Sequence, residues 1–218
     1  FAAAVREAGI EENAVERVVA TGYGRRAIGF AHRAVTEITC HGRGVHHLRP
    51  GAATVVDIGG QDSKLLHLDG KGRVRDFVMN DRCAAGTGRF LEVVAGRLEC
   101  DLARAGELAA AAAEPATISS MCVVFAETEI IGLLSSGASE CDIAAGVQSS
   151  LAARVAGLAG GRVEAPVVFT GGVARLEAMA GAIEDALGVD VSVPDRPEMT
   201  GALGAALLAA EEAVRLIG

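Results

Sequence analysis

The chain has 218 residues, enough for one large or two small domains, and half of its residues are hydrophobic. Aromatic residues make up only 3% and the formal net charge is −8, which disfavours base stacking and broad contact with nucleic-acid phosphates. No apolar run approaches the roughly 20 residues that span a bilayer, and no secretory signal pattern is present, so neither a nucleic-acid nor a membrane partner is expected. We expect a cytoplasmic protein whose five cysteines are thiols or metal ligands.

The first 50 residues predict short elements around a loop that contains glycine and arginine. The apolar pattern indicates a helix over 2–8, strands over 17–20 and 31–37, and a helix over 39–48. Pro50 and Gly51 then interrupt the pattern, as expected at a domain boundary. We therefore assign residues 1–50 to the C-terminal part of a first domain.

Residues 51–200 predict a second domain built on a mixed sheet. Three β-branched, apolar strands come first, joined in part by a hairpin turn at 69–72. The predicted strands are 53–58, 64–68, 73–79, 167–170 and 189–193; the predicted helices are 86–98, 147–158, 175–187 and 199–216, with a helical insertion over about 99–146 and a connecting helix over 201–218. Three antiparallel strands followed by parallel crossovers are typical of a ribonuclease-H-like α/β fold, in which ligands bind at strand ends.

One glycine pair directly follows a predicted strand in the segment VVDIGGQDSK. Gly59 and Gly60 would expose backbone N–H groups to a phosphate, because no side chain intervenes. Asp57 would hold the water shell of a Mg²⁺ ion or orient an attacking water. Taken alone, the pair is more simply explained as a tight hairpin turn. The polar neighbours within reach are Gln61, Asp62 and Lys64.

A second glycine pair follows a strand in VVFTGGVARL. Gly171 and Gly172 would let the backbone lie flat against a nucleoside, beside the start of the next helix. In isolation an ordinary strand-to-helix turn is again the simpler interpretation. Two such units in one ribonuclease-H-like pattern can face each other across a cleft, so we expect a nucleotide-binding site.

Two cysteines stand at the start of predicted helices. Cys83 lies in NDRCAAGTGRF and Cys122 in SSMCVVFAETEII, and a helix N-terminus favours the thiolate form that binds metal. Their separation matches no metal-binding spacing, so that spacing alone favours buried thiols. A cubane cluster needs four thiolates, which a two-fold dimer would supply.

These segments, together with GALGAALLA and in this order, resemble the ATP-dependent activators of 2-hydroxyacyl-CoA dehydratases. The related ATPase subunits of benzoyl-CoA reductase share the scheme, within the superfamily of acetate and sugar kinases, heat-shock chaperone ATPases and actin. The similarity also includes ATGYGR and TEITCHGRG in the first 50 residues. The resemblance implies a two-domain ribonuclease-H-like ATPase with a cleft for Mg-ATP or ADP. The family's first phosphate segment, of the type DxGSTxxK, has no match, so we expect the first domain to be N-terminally incomplete.

The resemblance implies that Cys83 and Cys122 bind a [4Fe–4S] cluster shared across a homodimer. It likewise assigns the segment from Asp57 to Lys64 to phosphate binding and the second glycine pair to adenosine. The cysteines that lie outside comparable motifs, and are not expected to be ligands, are Cys40, Cys100 and Cys141.

The implied function is ATP-driven transfer of a low-potential electron to a 2-hydroxyacyl-CoA dehydratase or a related CoA-thioester reductase. A ferredoxin or flavodoxin would be the upstream donor. Three alternatives stay open: the ATPase subunit of a benzoyl-CoA reductase, a cluster-free kinase of the same superfamily, and a non-catalytic nucleotide-binding regulator.

Other charged residues are expected to play lesser roles. Three histidines near the helix over 39–48 lack an accompanying cysteine or carboxylate pattern, so a surface or interface position is favoured over a metal site; they are His41, His46 and His47. Glu127 and Glu129, in the helix after the second cysteine motif, are expected to be surface or hinge charges.

Overall fold

The computed structural model describes residues 1–120 and 122–217, the last of these by its backbone alone. Met121, in the second cysteine motif, and Gly218, at the end of the predicted connecting helix, lie outside the described residues. The elements are α1 (Ala2–Glu7), β1 (Val19–Ala20), β2 (Arg33–Ala34), α2 (Glu37–Leu48), β3 (Thr54–Ile58), β4 (Ser63–Leu68), β5 (Val74–Asn80), α3 (Gly88–Arg97), α4 (Leu102–Ala110), α5 (Val123–Ser135), α6 (Glu140–Ala159), β6 (Val167–Thr170), α7 (Met179–Leu187), β7 (Val191–Ser192) and α8 (Thr200–Ile217). Within the described ranges, no helix is both long and apolar enough to cross a membrane.

A five-stranded mixed sheet organises most of the chain, in the order β5-β4-β3-β6-β7. The strands β3, β4 and β5 pair antiparallel, whereas β6 and β7 add in parallel on the other side of β3. Every residue of β3, β4 and β6 is buried, which is why these strands are largely apolar on both faces rather than alternating. This order and pairing confirm the predicted ribonuclease-H-like α/β fold.

The side chains of the central strands alternate between two packed faces. On one face Val55 and Leu66 pack in a cluster with Val45 of α2. On the other face Val56 belongs to a larger cluster that contains Phe90 of α3, whose side chain is fully buried. Burial of a side chain of that size contributes about 1.5–3 kcal/mol. The sheet therefore holds helices against both of its faces, and its strand ends are left to form a site.

The helices α2 and α8 cross at close range because each presents a glycine to the other's backbone. A Cβ atom on Gly204 would overlap the carbonyl oxygen of Cys40, and one on Gly44 would overlap that of Thr200. Side chains at these positions would push the two helices apart. The contact places Thr200, the first residue of α8, directly against α2.

Several predicted elements differ from the observed ones. The strands expected over 17–20 and 189–193 are shorter, as β1 and β7. The strand expected over 31–37 is only β2, because Thr36 caps α2: its Oγ1 accepts a hydrogen bond from the Thr39 backbone N–H (3.4 Å), so the helix begins at Glu37. The helix expected over 147–158 is the second half of α6, which Ser139 caps and which runs through the predicted end of the insertion at residue 146. The helix expected from 175 begins at Met179, after a 3₁₀ turn.

Candidate functional site

Asp57 lies near the end of β3, and both oxygens of its carboxylate have partners from neighbouring strands. Its side chain is almost fully buried. Thr170, its register partner on β6, donates a hydrogen bond to Oδ1 (2.9 Å). Lys64, its register partner on β4, donates to Oδ2 (3.3 Å). The sheet register thus holds the carboxylate rigidly at a strand end, where ligands bind in folds of this type.

Lys64 is buried, with its side chain 3% exposed, and its ammonium contacts carboxylates. It donates to Asp62 Oδ1 (2.7 Å) as well as to Asp57, and Glu37 of α2 lies 3.9 Å away. Burial works against the charged form, but the negative charges of Asp57 and Asp62 outweigh it and raise the pKa of Lys64. The sequence predicted Lys64 and Asp62 as nucleotide contacts; the structure directs Lys64 at these carboxylates, as their counterion.

Asp62 joins the strand turn to the first 50 residues. The hydroxyl of Tyr23 donates to Asp62 Oδ2 (2.9 Å), and partial burial, followed by this bond, raises the pKa of Tyr23. Gln61, the third predicted polar neighbour, is exposed beside Gly60. Asp62 is therefore a structural link within this network, whereas Gln61 stays open to a ligand.

His41 approaches the same carboxylate from α2, a position that sequence reasoning missed. Its Nε2 lies 3.6 Å from Asp57 Oδ1, and its Nδ1 lies 2.9 Å from the hydroxyl of Thr200. The side chain is buried, so the predicted surface position is wrong for His41. The i, i+4 spacing of Glu37 and His41, which places both on one face of α2, was the available signal. His41 thereby connects the crossing point of α2 and α8 to Asp57.

The first glycine pair forms a tight turn against the start of α3. The Gly59 N–H donates to the Asp62 carbonyl (2.9 Å), and the Gly59 carbonyl accepts from the Gly88 N–H (2.8 Å). A Cβ on Gly88 would lie 3.1 Å from that carbonyl, which explains a glycine at the start of α3. Gly60 is exposed, and nothing lies within 4 Å of where its Cβ would be. This open backbone is the part of the turn that a phosphate can approach.

The second glycine pair lies beside the first at the same sheet edge. Gly171 has a φ of +90°, and a Cβ there would overlap the carbonyl oxygen of Ile58, so only glycine fits. Gly172 borders a cavity of about 400 Å³, between α4 and the turn after β6. The other residues lining this cavity are Leu102, Ala103, Glu107, Arg175, Leu176 and Glu177. Its volume falls within the usual range for small-molecule sites.

Cys83 and Cys122 are exposed free thiols, each at the N-cap position of a helical turn. The buried thiols that spacing alone favoured are therefore not observed. Cys83 precedes the 3₁₀ turn that leads into α3, and Cys122 precedes α5, which packs beside α3. Among the described residues, no group of three or more cysteine, histidine or acidic side chains is arranged to hold a metal ion. Cys83 and Cys122 are therefore two free, exposed cysteines at the starts of helical segments.

The segment before each cysteine is held by side-chain hydrogen bonds. The Asn80 amide donates to the Cys83 carbonyl (2.7 Å) and accepts from the Cys83 N–H (2.9 Å). A cavity of about 560 Å³ opens beside Cys83 and is also lined by Arg82 and Arg154. The remaining cysteines are buried or half-buried: Cys40, Cys100 and Cys141.

Comparisons with known proteins agree with this geometry. The activator of lactoyl-CoA dehydratase from Anaerotignum propionicum is 49% identical over 206 residues, which cover 94% of this chain and 80% of that protein. The solved activator of the 2-hydroxyisocaproyl-CoA dehydratase from Clostridium difficile, with bound ADPNP, superposes with a TM-score of 0.94 at 44% identity, covering 97% of this chain and 79% of that one. A benzoyl-CoA reductase subunit from Thauera aromatica is 34% identical, over 93% of this chain and 74% of its own length. The BadF/BadG/BcrA/BcrD ATPase family matches residues 1–209, and the chain belongs to that family.

Proposed function

We propose that the chain is an ATP-hydrolysing iron–sulfur electron donor that activates a 2-hydroxyacyl-CoA dehydratase. The observation that carries the proposal is the buried Asp57 carboxylate, held by Thr170 and Lys64 at the strand edge where both glycine turns meet. The identity of 49% to a lactoyl-CoA dehydratase activator supports the assignment of the activity.

The nucleotide would lie along the sheet edge, with its two ends at the two glycine turns. The exposed backbone at Gly60, with Gln61 beside it, would take the phosphates, and the cavity beside Gly172 would take the nucleoside. The ADPNP bound to the C. difficile activator supports this class of ligand. Asp57 would hold the water shell of Mg²⁺ or orient the attacking water, because Thr170 and Lys64 fix the position of its carboxyl group.

Cys83 and Cys122 would each contribute one thiolate ligand to a [4Fe–4S] cluster, so a homodimer is needed for four. The residues fit half of such a site: both thiols are exposed, and both stand at helical N-termini whose N–H groups stabilise negative charge. When bound, the cluster supplies one-electron chemistry at low potential. An exposed half-site on each protomer also explains why the described residues of one chain hold no complete metal-binding group.

ATP hydrolysis would have to change the relative free energies of two conformations to drive the transfer. His41 and Thr200 supply a connection for this, because they join Asp57 to the crossing of α2 and α8. On the domain division proposed from the sequence, the first domain (residues 1–50) contains α2 and residues 51–200 form the second domain with its insertion. The proposed connecting helix over 201–218 corresponds to α8, whose described range is Thr200–Ile217. The upstream donor would be a cytoplasmic ferredoxin or flavodoxin.

Two other functions remain distinguishable by experiment. A benzoyl-CoA reductase ATPase subunit would co-purify with catalytic partners, but the identity of 34% to a subunit of that enzyme is lower than to the activator. A cluster-free kinase or a nucleotide-binding regulator would be colourless and free of iron.

Anaerobic purification with iron, sulfide and ATP-hydrolysis measurements tests the proposal. We expect about four iron and four sulfide ions per dimer, and loss of both in Cys83→Ala and Cys122→Ala. Cys141→Ala is the matched control, because its thiol is half-buried and lies outside the site, so the cluster is retained. An iron-free wild-type dimer, or a full cluster in Cys83→Ala, contradicts the electron-transfer function.

The ATPase part of the proposal is tested separately with Asp57→Asn. This variant keeps the size and shape of the side chain but turns one of its two acceptor oxygens into an NH₂ group. We expect hydrolysis to fall by about 10²–10³-fold, as when one preorganised polar group of an active site is lost. Nucleotide binding, measured by calorimetry, should persist. Hydrolysis near the wild-type rate would exclude Asp57 from the reaction.

A further inference from the structure

Glu129 of α5 fixes Ser119 and Ser120, which lie at the end of a stretch without regular secondary structure. Residues 115–120 belong to no helix or strand. The Glu129 carboxylate accepts hydrogen bonds from the Ser119 N–H (2.9 Å), the Ser119 hydroxyl (2.8 Å) and the Ser120 N–H (2.9 Å). Partial burial opposes ionisation, but these bonds prevail and lower the pKa of Glu129 to about 2. The carboxylate is therefore ionised whenever the protein is folded near neutral pH.

Arg154 of α6 holds the same segment by a hydrogen bond to the backbone carbonyl of Ser120. One guanidinium nitrogen donates to the Ser120 carbonyl (2.7 Å), and another donates to the hydroxyl and carbonyl of Ser150, one turn earlier in α6 (2.7 and 3.1 Å). The guanidinium also lies over the buried ring of Phe90, 5.6 Å from its centroid. These contacts with three residues fix the plane of the guanidinium, which a lysine ammonium would not reproduce.

The two side chains hold the segment through complementary hydrogen bonds, because Glu129 accepts them and Arg154 donates one. Glu129 accepts from the N–H groups of Ser119 and Ser120, and Arg154 donates to the Ser120 carbonyl, so these two residues cannot rotate without breaking charge-assisted hydrogen bonds. Arg154 also lines the cavity beside Cys83, so this one side chain holds the Ser120 carbonyl and borders the cavity at the other cysteine.

We infer that Glu129 and Arg154 are positioning residues for Cys122: together they set where its thiolate stands relative to Cys83. The inference rests on the proposed function, because it concerns the site at which the two thiolates would bind. Partners of ligand-bearing segments orient metal ligands and tune the metal they hold. The energetic logic is preorganisation, since a segment that is already ordered need not be ordered when the cluster assembles.

Hydrogen exchange and cluster stability in matched variants test this inference. In Glu129→Gln one acceptor oxygen becomes an NH₂ group that faces a donor, so the two serine amides should exchange about 10–100-fold faster, as expected for loss of a charge-assisted hydrogen bond. Glu127→Gln is the control, since Glu127 lies on the same helix but pairs with Arg97 instead. In the reconstituted dimer, Glu129→Gln should release iron to a chelator at least several-fold faster and alter the electron paramagnetic resonance signal of the reduced cluster.

Arg154→Lys is the second variant, and Arg162→Lys, an exposed arginine on the chain after α6, is its control. We expect faster iron release in Arg154→Lys only, with thermal unfolding close to the wild type. Faster exchange with unchanged iron release and an unchanged resonance signal would show that both residues only anchor a loop. Unchanged exchange in Glu129→Gln would show that Glu129 does not hold the two serine amides. Either outcome overturns the inference. A wild-type dimer without iron overturns the proposed function first, and the positioning role with it.

Discussion

Replacing Lys64 by methionine separates two roles for this residue, internal counterion and phosphate ligand. The substitution keeps the length and the apolar stem but removes the ammonium that lies 2.7 Å from Asp62 and 3.3 Å from Asp57. Both carboxylates are almost fully buried and would lose their cationic partner. Removing one partner of a buried ion pair destabilises a protein by about 3–5 kcal/mol, because the remaining charge is left uncompensated.

Urea denaturation followed by circular dichroism measures this loss, since the chain contains no tryptophan. We expect the midpoint of Lys64→Met to fall by about 1–2 M at pH 7. Lys71→Met is the matched control, because Lys71 is exposed in the hairpin turn and its replacement should change stability by about 0.5 kcal/mol or less. Adding Asp62→Asn to Lys64→Met should recover about 1–3 kcal/mol, the usual coupling between contacting groups.

The pH dependence follows from the raised pKa of Lys64. A raised pKa means that the contribution of Lys64 is complete below its unfolded value of 10.5 and is lost as the pH rises through the higher folded value. The difference between the wild type and Lys64→Met should therefore be constant from pH 7 to about 10 and should shrink at higher pH. A loss below about 1 kcal/mol, together with weakened nucleotide binding, would refute the counterion role and favour a phosphate contact.

Three further predictions concern the second glycine turn, the crossing of α2 and α8, and the hydrogen bonds of Glu129. Gly171→Ala should lower the free energy of unfolding by about 1–3 kcal/mol in thermal unfolding, because the φ of +90° and the nearby Ile58 carbonyl exclude a Cβ. Gly172→Ala is the control and should leave stability unchanged, because nothing lies near its Cβ position. Gly204→Ala should separate α2 from α8 and destabilise by about 1–3 kcal/mol in the same assay, while Gly157→Ala, exposed within α6, should stabilise by about 0.5–1 kcal/mol. The lowered pKa of Glu129 predicts that protection of the Ser119 and Ser120 amides from hydrogen exchange, corrected for intrinsic exchange, is complete above pH 4.5 and disappears as the pH falls through about 2. Loss of protection already near pH 5 would contradict the hydrogen bonds from these amides to Glu129.

The positions of the strands along the chain and of both glycine turns could be predicted from local sequence. Short β-branched runs, a hairpin turn and glycine pairs are signals carried by neighbouring residues, so they need no knowledge of the rest of the chain. Helix boundaries were harder to predict. The predicted break at residue 146 was wrong, because tertiary packing of the buried face of α6 stabilises the helix through this position.

The sequence by itself determined the fold class, the strand-end location of Asp57, and the placement of Cys83 and Cys122 at helix starts, because each depends on residues close together in the chain. Only the tertiary structure decided that Lys64 forms ion pairs with buried carboxylates and that His41 is buried beside Asp57. It also decided that Glu129 and Arg154 hold the backbone of Ser119 and Ser120. These partners come from different strands and helices. Polar side chains of the same composition could equally have faced solvent, and it is the register of the sheet and the crossing of the helices that bring them within hydrogen-bond distance.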